Sequence, residues 1–137
     1  MTDKSRQKSL ACANAALEKK AFDVVLLRLR GTVSYTDYFL ICSGRSDRQV
    51  QAIGQSIETE LEKRGHRALG IEGMSQGRWV LMDYGDVIVH IFQDSVRRFY
   101  DLEGLWIEAP RVEIEDKQGA KNLRKKRTVS RREAGRS

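Results

Sequence analysis

The sequence has few of the residues and segments that mark several classes of protein. Proline occurs once, at Pro110, and Cys12 and Cys42 lie far apart, outside any Cys-x-x-Cys pair. Two isolated cysteines supply no disulfide framework, so we expect reduced thiols. No apolar run approaches the roughly 20 residues that span a bilayer, and no apolar segment follows the N-terminus as in a secretory signal. These absences predict a cytoplasmic protein without a membrane span.

Positive charge is concentrated at the C-terminal end. The net charge is +6, yet residues 119–137 contain eight Lys or Arg and one Glu, whereas the preceding 118 residues contain 17 basic and 18 acidic side chains. We therefore expect one near-neutral domain over residues 1–112 and a basic tail over 113–137. The tail is too polar to offset its ordering entropy, which predicts disorder. It could attract RNA phosphates nonspecifically, or it could be a dispensable solvated segment.

Hydrophobic periodicity predicts a mixed α/β domain. An Ala-rich helix covers about residues 5–20, and a longer helix begins at Ser46, where Gln49 completes a capping-box pattern. Strands are expected at 22–29, 38–42 and 68–72, followed by a hairpin within 77–92. A last helix begins at Ser95, should bury Phe99 and expose Arg97, and ends at Gly104. The order predicts a mixed sheet of about five strands with a parallel crossover, flanked by helices.

The hairpin from Gly77 to Phe92 carries two different faces. Asp83 paired with Asp86 across a two-residue turn containing Gly85 would fix the register. One face is then aliphatic and typical of a core: Val80, Met82, Val87, Val89 and Ile91. The other face mixes aromatic, apolar, acidic and imidazole groups, as partner-binding faces do: Trp79, Leu81, Asp83, Asp86, Ile88, His90 and Phe92. Because Tyr84 lies at the turn tip, we expect it to be exposed.

Chemistry could be placed at two positions. The Ser43-Gly44 turn precedes a helix N-terminus that could hold a phosphate, although the sequence contains neither common glycine-rich phosphate motif and a capped turn is the simpler interpretation. Asp83 and Asp86 could bind a divalent metal, although aspartates also favour turns for local reasons. Together these parts would suit a small nucleotidyltransferase-like, nucleotide-binding enzyme.

A series of motifs resembles the ribosomal silencing factor family, also called Iojap-related. They run in the family's order over about residues 5–110 and leave the tail outside. The motifs are Asp37-Tyr38-Phe39-Leu40-Ile41-Cys42-Ser43-Gly44, Arg48-Gln49-Val50, Glu72-Gly73, the hairpin Gly77 to Phe92, Arg98-Phe99-Tyr100-Asp101-Leu102-Glu103 and Leu105-Trp106.

The resemblance implies a nucleotidyltransferase-like fold without catalysis, cofactor or metal. It implies binding to the large ribosomal subunit through that subunit's fourteenth protein. Such binding would block the small subunit and repress translation when nutrients are scarce. Nonspecific contact of the tail with ribosomal RNA and a homodimer through the hairpin face remain open. The residues expected to contact the partner are Trp79, Asp83, Tyr84, Asp86 and Tyr100, with His90 and Arg98 as second choices.

Overall fold

Helices and strands follow one another in the order that the sequence predicts. The computed structural model describes residues 4–101, 104 and 109–114. The elements are α1 (Lys4–Glu18), β1 (Phe22–Arg28), β2 (Tyr38–Gly44), α2 (Asp47–Lys63), β3 (Gly70–Glu72), β4 (Trp79–Asp83), β5 (Val87–Gln93) and α3 (Asp94–Tyr100). None of the described helices is long and apolar enough to cross a membrane. The prediction of a single mixed α/β domain is confirmed.

The five strands form one sheet in the order β1-β2-β5-β4-β3. The β2 and β5 strands pair in parallel, and the other neighbours pair antiparallel. The predicted crossover through α2 does connect strands of the same direction, since β2 and β3 both run parallel to β5. They are not neighbours, however, because β5 and β4 lie between them. The hairpin therefore occupies the middle of the sheet, where each of its strands has partners on both sides.

One face of the sheet is covered by α1 and α2, and we call it the covered face. The Ala-rich stripe of α1 is buried, which lets the two helices approach closely. Ser46 caps α2 as predicted, because its side chain accepts a hydrogen bond from Gln49 N at 3.1 Å. The Gln49 amide accepts from Arg45 N rather than from the cap residue, and it donates to Lys19 O and Lys20 O beyond the end of α1. Gln49 thus links the two helices.

The opposite face, which we call the aromatic face, carries α3. The buried cluster on this face of the sheet contains Val25, Leu27, Leu29, Phe39, Ile41 and Phe92, with Trp79, Ile88 and Val96 packed against it. The prediction for α3 was wrong in its rotation and its end. Arg97 is buried and Phe99 is 80% exposed, while the helix ends at Tyr100 and is capped by Asp101, whose φ of 47° is left-handed. Seven residues contain too little periodicity to fix which side of a helix faces inward.

The chain after α3 is described at residue 104 and over residues 109–114. Val112 N donates to Leu26 O at 2.8 Å, and Val112 and Ile114 pack into the core of the covered face. This segment therefore protects part of the outer edge of β1. Residues 115–137, most of the tail for which disorder was expected, lie outside the described residues.

Candidate functional site

The hairpin keeps the predicted faces but has a different register. Trp79 pairs with Phe92, and Asp83 pairs with Ile88, so the predicted pairing of Asp83 with Asp86 is wrong. A three-residue connection joins the strands instead of a two-residue turn. The register nevertheless differs from the predicted one by an even number of residues, and side chains alternate with a period of two. The side chains within the two strands therefore face as predicted, whereas Asp86, expected on the aromatic side, lies in the connection.

The connection turns Tyr84 into the protein. The Asp83 carboxylate accepts a hydrogen bond from Gly85 N at 2.8 Å, and Tyr84 N donates to Val87 O at 2.9 Å. The Tyr84 ring packs in the core of the covered face with 5% exposure, so its expected exposure was wrong. Burial raises the pKa of its phenol. Among the described residues, no group pairs with this hydroxyl.

Asp86 also lies away from the aromatic side. Its carboxylate accepts from Lys8 Nζ on α1 at 2.7 Å, whereas the Asp83 carboxylate is directed at Gly85. The two aspartates therefore do not converge on a shared metal or proton. Tyr84 is buried and Asp86 is paired with α1. These two predicted contact residues are therefore separated from the other five, which are Trp79, Asp83, His90, Arg98 and Tyr100.

The parts of the expected nucleotide site lie at opposite ends of the sheet. The hairpin connection adjoins Tyr38, the first residue of β2, whereas Ser43 and Gly44 are its last two. Six steps of strand rise separate Tyr38 from Gly44 by about 20 Å. The Ser43 hydroxyl is buried and accepts from Arg97 Nη1 at 2.8 Å. The nucleotidyltransferase arrangement of Ser43-Gly44 with two aspartates is therefore contradicted.

Aromatic rings meet on the aromatic face at the junction of β4, β5 and α3. The Trp79 ring centroid lies 4.8 Å from that of Phe92 and 4.9 Å from that of Tyr100. Phe99 contacts Tyr100 edge-on at 5.0 Å. Offset and edge-on arrangements at these separations stabilise aromatic pairs beyond their buried area. The indole of Trp79 is therefore held between a buried ring and an exposed one.

His90 fixes the indole from the neighbouring strand. Trp79 Nε1 donates to His90 Nδ1 at 3.1 Å, which requires the neutral imidazole to carry its proton on Nε2. Burial lowers the pKa of His90 to about 4, so the ring is neutral near neutral pH. No group in the described part of the chain accepts from Nε2. His90, a second-choice residue for partner contact, is buried with 5% exposure and holds the Trp79 indole through this hydrogen bond.

A groove of about 340 Å³ opens beside this cluster. Its lining residues are Arg78, Trp79, Ser95, Val96, Phe99 and Tyr100. Phe99 is 80% exposed and Tyr100 is 52% exposed. Such aromatic side chains in contact with water, around a shallow apolar concavity, are typical of protein docking surfaces. The structure thus brings two predicted site residues, Trp79 and Tyr100, into one surface.

The charged residues on the aromatic face carry both signs. Arg98 is exposed and donates to Asp94 on the same helix at 2.8 Å. Asp83 is half-buried and lies on the aromatic side of β4, two positions along that side from Trp79. Arg78 lines the groove. The face is therefore less acidic than its sequence suggested, because Asp86 belongs elsewhere.

Sequence reasoning missed Phe99 and Arg78 as groove residues. Phe99 was assigned to the core, and the short segment held no periodic signal that would have placed it outward. Among the described residues, no three His, Cys, Asp or Glu side chains cluster as metal ligands. Both cysteines are buried, and burial raises the pKa of each thiol to about 12, so neither is a ready nucleophile.

Comparison with known proteins gives consistent matches over most of the chain. A family profile described as "Ribosomal silencing factor during starvation" matches residues 2–137. The chain is 46% identical over 112 residues to Ribosomal silencing factor RsfS of Halalkalibacterium halodurans, covering 81% of this chain and 96% of the relative. It is 42% identical over 111 residues to the Bacillus subtilis protein of the same name, covering 80% and 94%. A crystal structure of a Bacillus halodurans protein superposes with a TM-score of 0.71 at 41% identity, covering 80% of this chain and 99% of that one.

Proposed function

Because the chain belongs to the ribosomal silencing factor family, we propose that it binds the large ribosomal subunit and prevents that subunit from joining the small one. The proposed contact is the large subunit's fourteenth protein, and the proposed outcome is lower translation when nutrients are limiting. The family is named for a regulatory activity rather than for a reaction. Steric exclusion requires affinity and bulk, and it requires neither a nucleophile nor a cofactor. The proposed place of action is the cytoplasm.

The groove between β4 and α3 is the proposed contact surface. The exposure of Phe99 and Tyr100 beside Trp79 is the observation that supports this choice. Docking removes the apolar surface of these rings from water. This burial is worth about 25 cal/mol per Å². Tyr and Trp are also the residues most enriched among binding hot spots. Trp79 offers ring surface rather than its N–H, because that N–H already bonds His90.

Charged residues elsewhere on the aromatic face set the orientation of the partner in this proposal. Asp83 would face Lys or Arg of the partner, and Arg98 would face an acidic group. Rim charges of this kind steer association more than they increase affinity. Tyr84 and Asp86 have no direct role, because Tyr84 is buried and Asp86 is paired with Lys8.

Cosedimentation with separated ribosomal subunits tests the proposal. Tyr100→Ala should weaken binding to large subunits by about tenfold or more, the loss expected of a hot spot. Its exposure makes a large loss of folding stability unexpected, so circular dichroism and thermal unfolding should remain close to wild type. Thr59→Ala on the exposed side of α2 is the matched control and should bind normally. Unchanged binding by Tyr100→Ala and by Phe99→Ala would assign the contact to another surface.

The basic tail is proposed to add a nonspecific attraction to ribosomal RNA. Its eight Lys and Arg side chains could contact phosphates, and such contacts weaken steeply with salt. Deleting residues 119–137 should therefore reduce affinity modestly at low salt and hardly at all at high salt. Complete loss of binding at both salt concentrations would make the tail, instead of the groove, the main contact.

A second proposal for the same surface is self-association through the aromatic face. A homodimer that buries Phe99 and Tyr100 would compete with the ribosome for one surface. Sedimentation of the free protein at increasing concentration measures this association. Tyr100→Ala should then weaken both the dimer and the ribosome complex.

A further inference from the structure

Phe99 and Tyr100 face solvent on a helix of seven residues that cannot stabilise its own position. Short helices are marginal in water and depend on tertiary contacts. Val96 supplies apolar packing from α3 onto the sheet, but the two large rings of the helix face outward. The helix therefore needs an anchor other than its aromatic residues.

Arg97 supplies this anchor from inside the protein. Its side chain is buried with 6% exposure. Arg97 Nη1 donates to Asp23 O at 2.6 Å and to Ser43 Oγ at 2.8 Å. These acceptors belong to β1 and β2, so one guanidinium group joins α3 to two strands that are distant in sequence. The planar group fixes direction as well as distance, because its N–H donors are arranged in a rigid fork.

The backbone of β1 is distorted where it accepts this hydrogen bond. Asp23 has a left-handed φ of 49°, and the pairing of β1 with β2 shifts register between Phe22 and Val25. Such a conformation costs energy for a residue other than glycine and persists when surrounding contacts hold it. A regular strand would not present its carbonyl in the same way. The bulge and the buried arginine thus form one local arrangement.

The adjacent arginine provides a contrast on the same helix. Arg98 is exposed and bonds Asp94 within α3, so it does not connect the helix to the sheet. Arg97 and Arg98 therefore differ in function despite their adjacency. Ser43 has a structural partner here, because its hydroxyl at the end of β2 accepts a hydrogen bond from Arg97 inside the protein.

We infer that Arg97 is a positioning residue for the partner-binding groove, acting through Asp23 and Ser43 to hold α3 so that Tyr100 stays against Trp79. This inference rests on the proposed function of the groove. It assigns no contact between Arg97 and the partner. The helix position that it sets is observable in the free protein, as the 4.9 Å contact between the Trp79 and Tyr100 rings.

The test compares three variants of the full chain by NMR and by affinity for large ribosomal subunits. Arg97→Met keeps most of the side-chain volume but removes the donors. It should abolish the nuclear Overhauser effects between Trp79 and Tyr100 and reduce affinity by about tenfold, as loss of a hot-spot contact does. Arg97→Lys keeps one donor group and should restore part of both signals. Arg48→Met, an exposed arginine on α2, is the matched control and should change neither.

Ser43→Ala covers the case in which Arg97→Met does not fold. It removes one acceptor and leaves the Asp23 carbonyl in place, so both the ring contacts and the affinity should be reduced by a smaller factor than in Arg97→Met. Wild-type ring contacts in folded Arg97→Met, or in Ser43→Ala, would overturn the inference. If the wild-type protein does not bind large subunits, the proposed function fails. The ring contacts would still decide whether Arg97 positions α3.

Discussion

The two faces of the sheet use the same strands for different purposes. The covered face lies under helices of 15 and 17 residues, and its side chains from β2, β4 and β5 are buried. The aromatic face carries a helix of seven residues, two of which, Phe99 and Tyr100, remain exposed. Stability should therefore depend mainly on the first face and partner binding mainly on the second. The comparison predicts that substitutions on the two faces separate these properties.

The largest expected effect is a loss of folding stability on the covered face. Ile57 is completely buried on α2, whereas Ile88 is half-buried on the aromatic side of β5. Ile57→Ala should lower the free energy of unfolding by about 2–5 kcal/mol, the usual cost of a buried cavity. Ile88→Ala should cost less, because less surface is lost from a half-buried position. Urea unfolding of both variants measures the difference, and equal costs would contradict the division between the faces.

His90 should make stability depend on pH. Burial lowers the pKa of His90 from 6.5 to about 4. Above about pH 6.5 the imidazole is neutral in both the folded and the unfolded chain, so this group adds no pH dependence there. Between these values the unfolded chain binds a proton that the folded chain does not. The free energy of unfolding should therefore fall with decreasing pH by up to about 1.4 kcal/mol per unit. Below about pH 4 this dependence ends.

His90→Gln is the control for this titration. A glutamine carbonyl can still accept from Trp79 Nε1 but does not titrate in this range. Unfolding curves across the pH window should show a shallower slope for the variant than for the wild type. The other histidine, His66, also has a lowered pKa, so the difference between the two proteins is the relevant quantity. Identical slopes would show that burial of His90 has no effect on its protonation.

The smallest expected effect concerns the ion pair between α1 and the hairpin connection. Lys8 and Asp86 lie 2.7 Å apart with side-chain exposures of 14% and 32%. Pairs that water still reaches contribute about 1 kcal/mol or less. Lys8→Met should therefore lower stability slightly and leave affinity for large subunits unchanged, since the pair adjoins the covered face. A clear loss of ribosome binding would extend the contact surface to this side.

Much of the fold follows from local sequence patterns. The order of the elements, the Ser46 cap and the two faces of the hairpin are visible because each depends on neighbouring residues. The faces were correct even with the wrong register, since the error was an even number of residues. The position of β5 between β2 and β4 depends on long-range pairing, which no local pattern specifies.

The site was less predictable because single hydrogen bonds decide its details. Tyr84 is buried because the Asp83 carboxylate bonds Gly85 N and shapes a longer connection. Phe99 is exposed because Arg97 takes the inward position on α3, and the acceptor at Asp23 lies 74 residues away. An arginine in a short amphipathic segment is normally assigned to solvent. Its acceptors become apparent when the strands are in place.

The central claim is that the groove on the aromatic face binds the large ribosomal subunit. Hydroxyl-radical footprinting of the protein, alone and with saturating large subunits, measures this through side-chain oxidation. Oxidation of Phe99 and Tyr100 should be strongly reduced in the complex, while that of Leu69, 75% exposed next to β3, should be unchanged. Protection of Leu69 with continued oxidation of Phe99 and Tyr100 would contradict the claim.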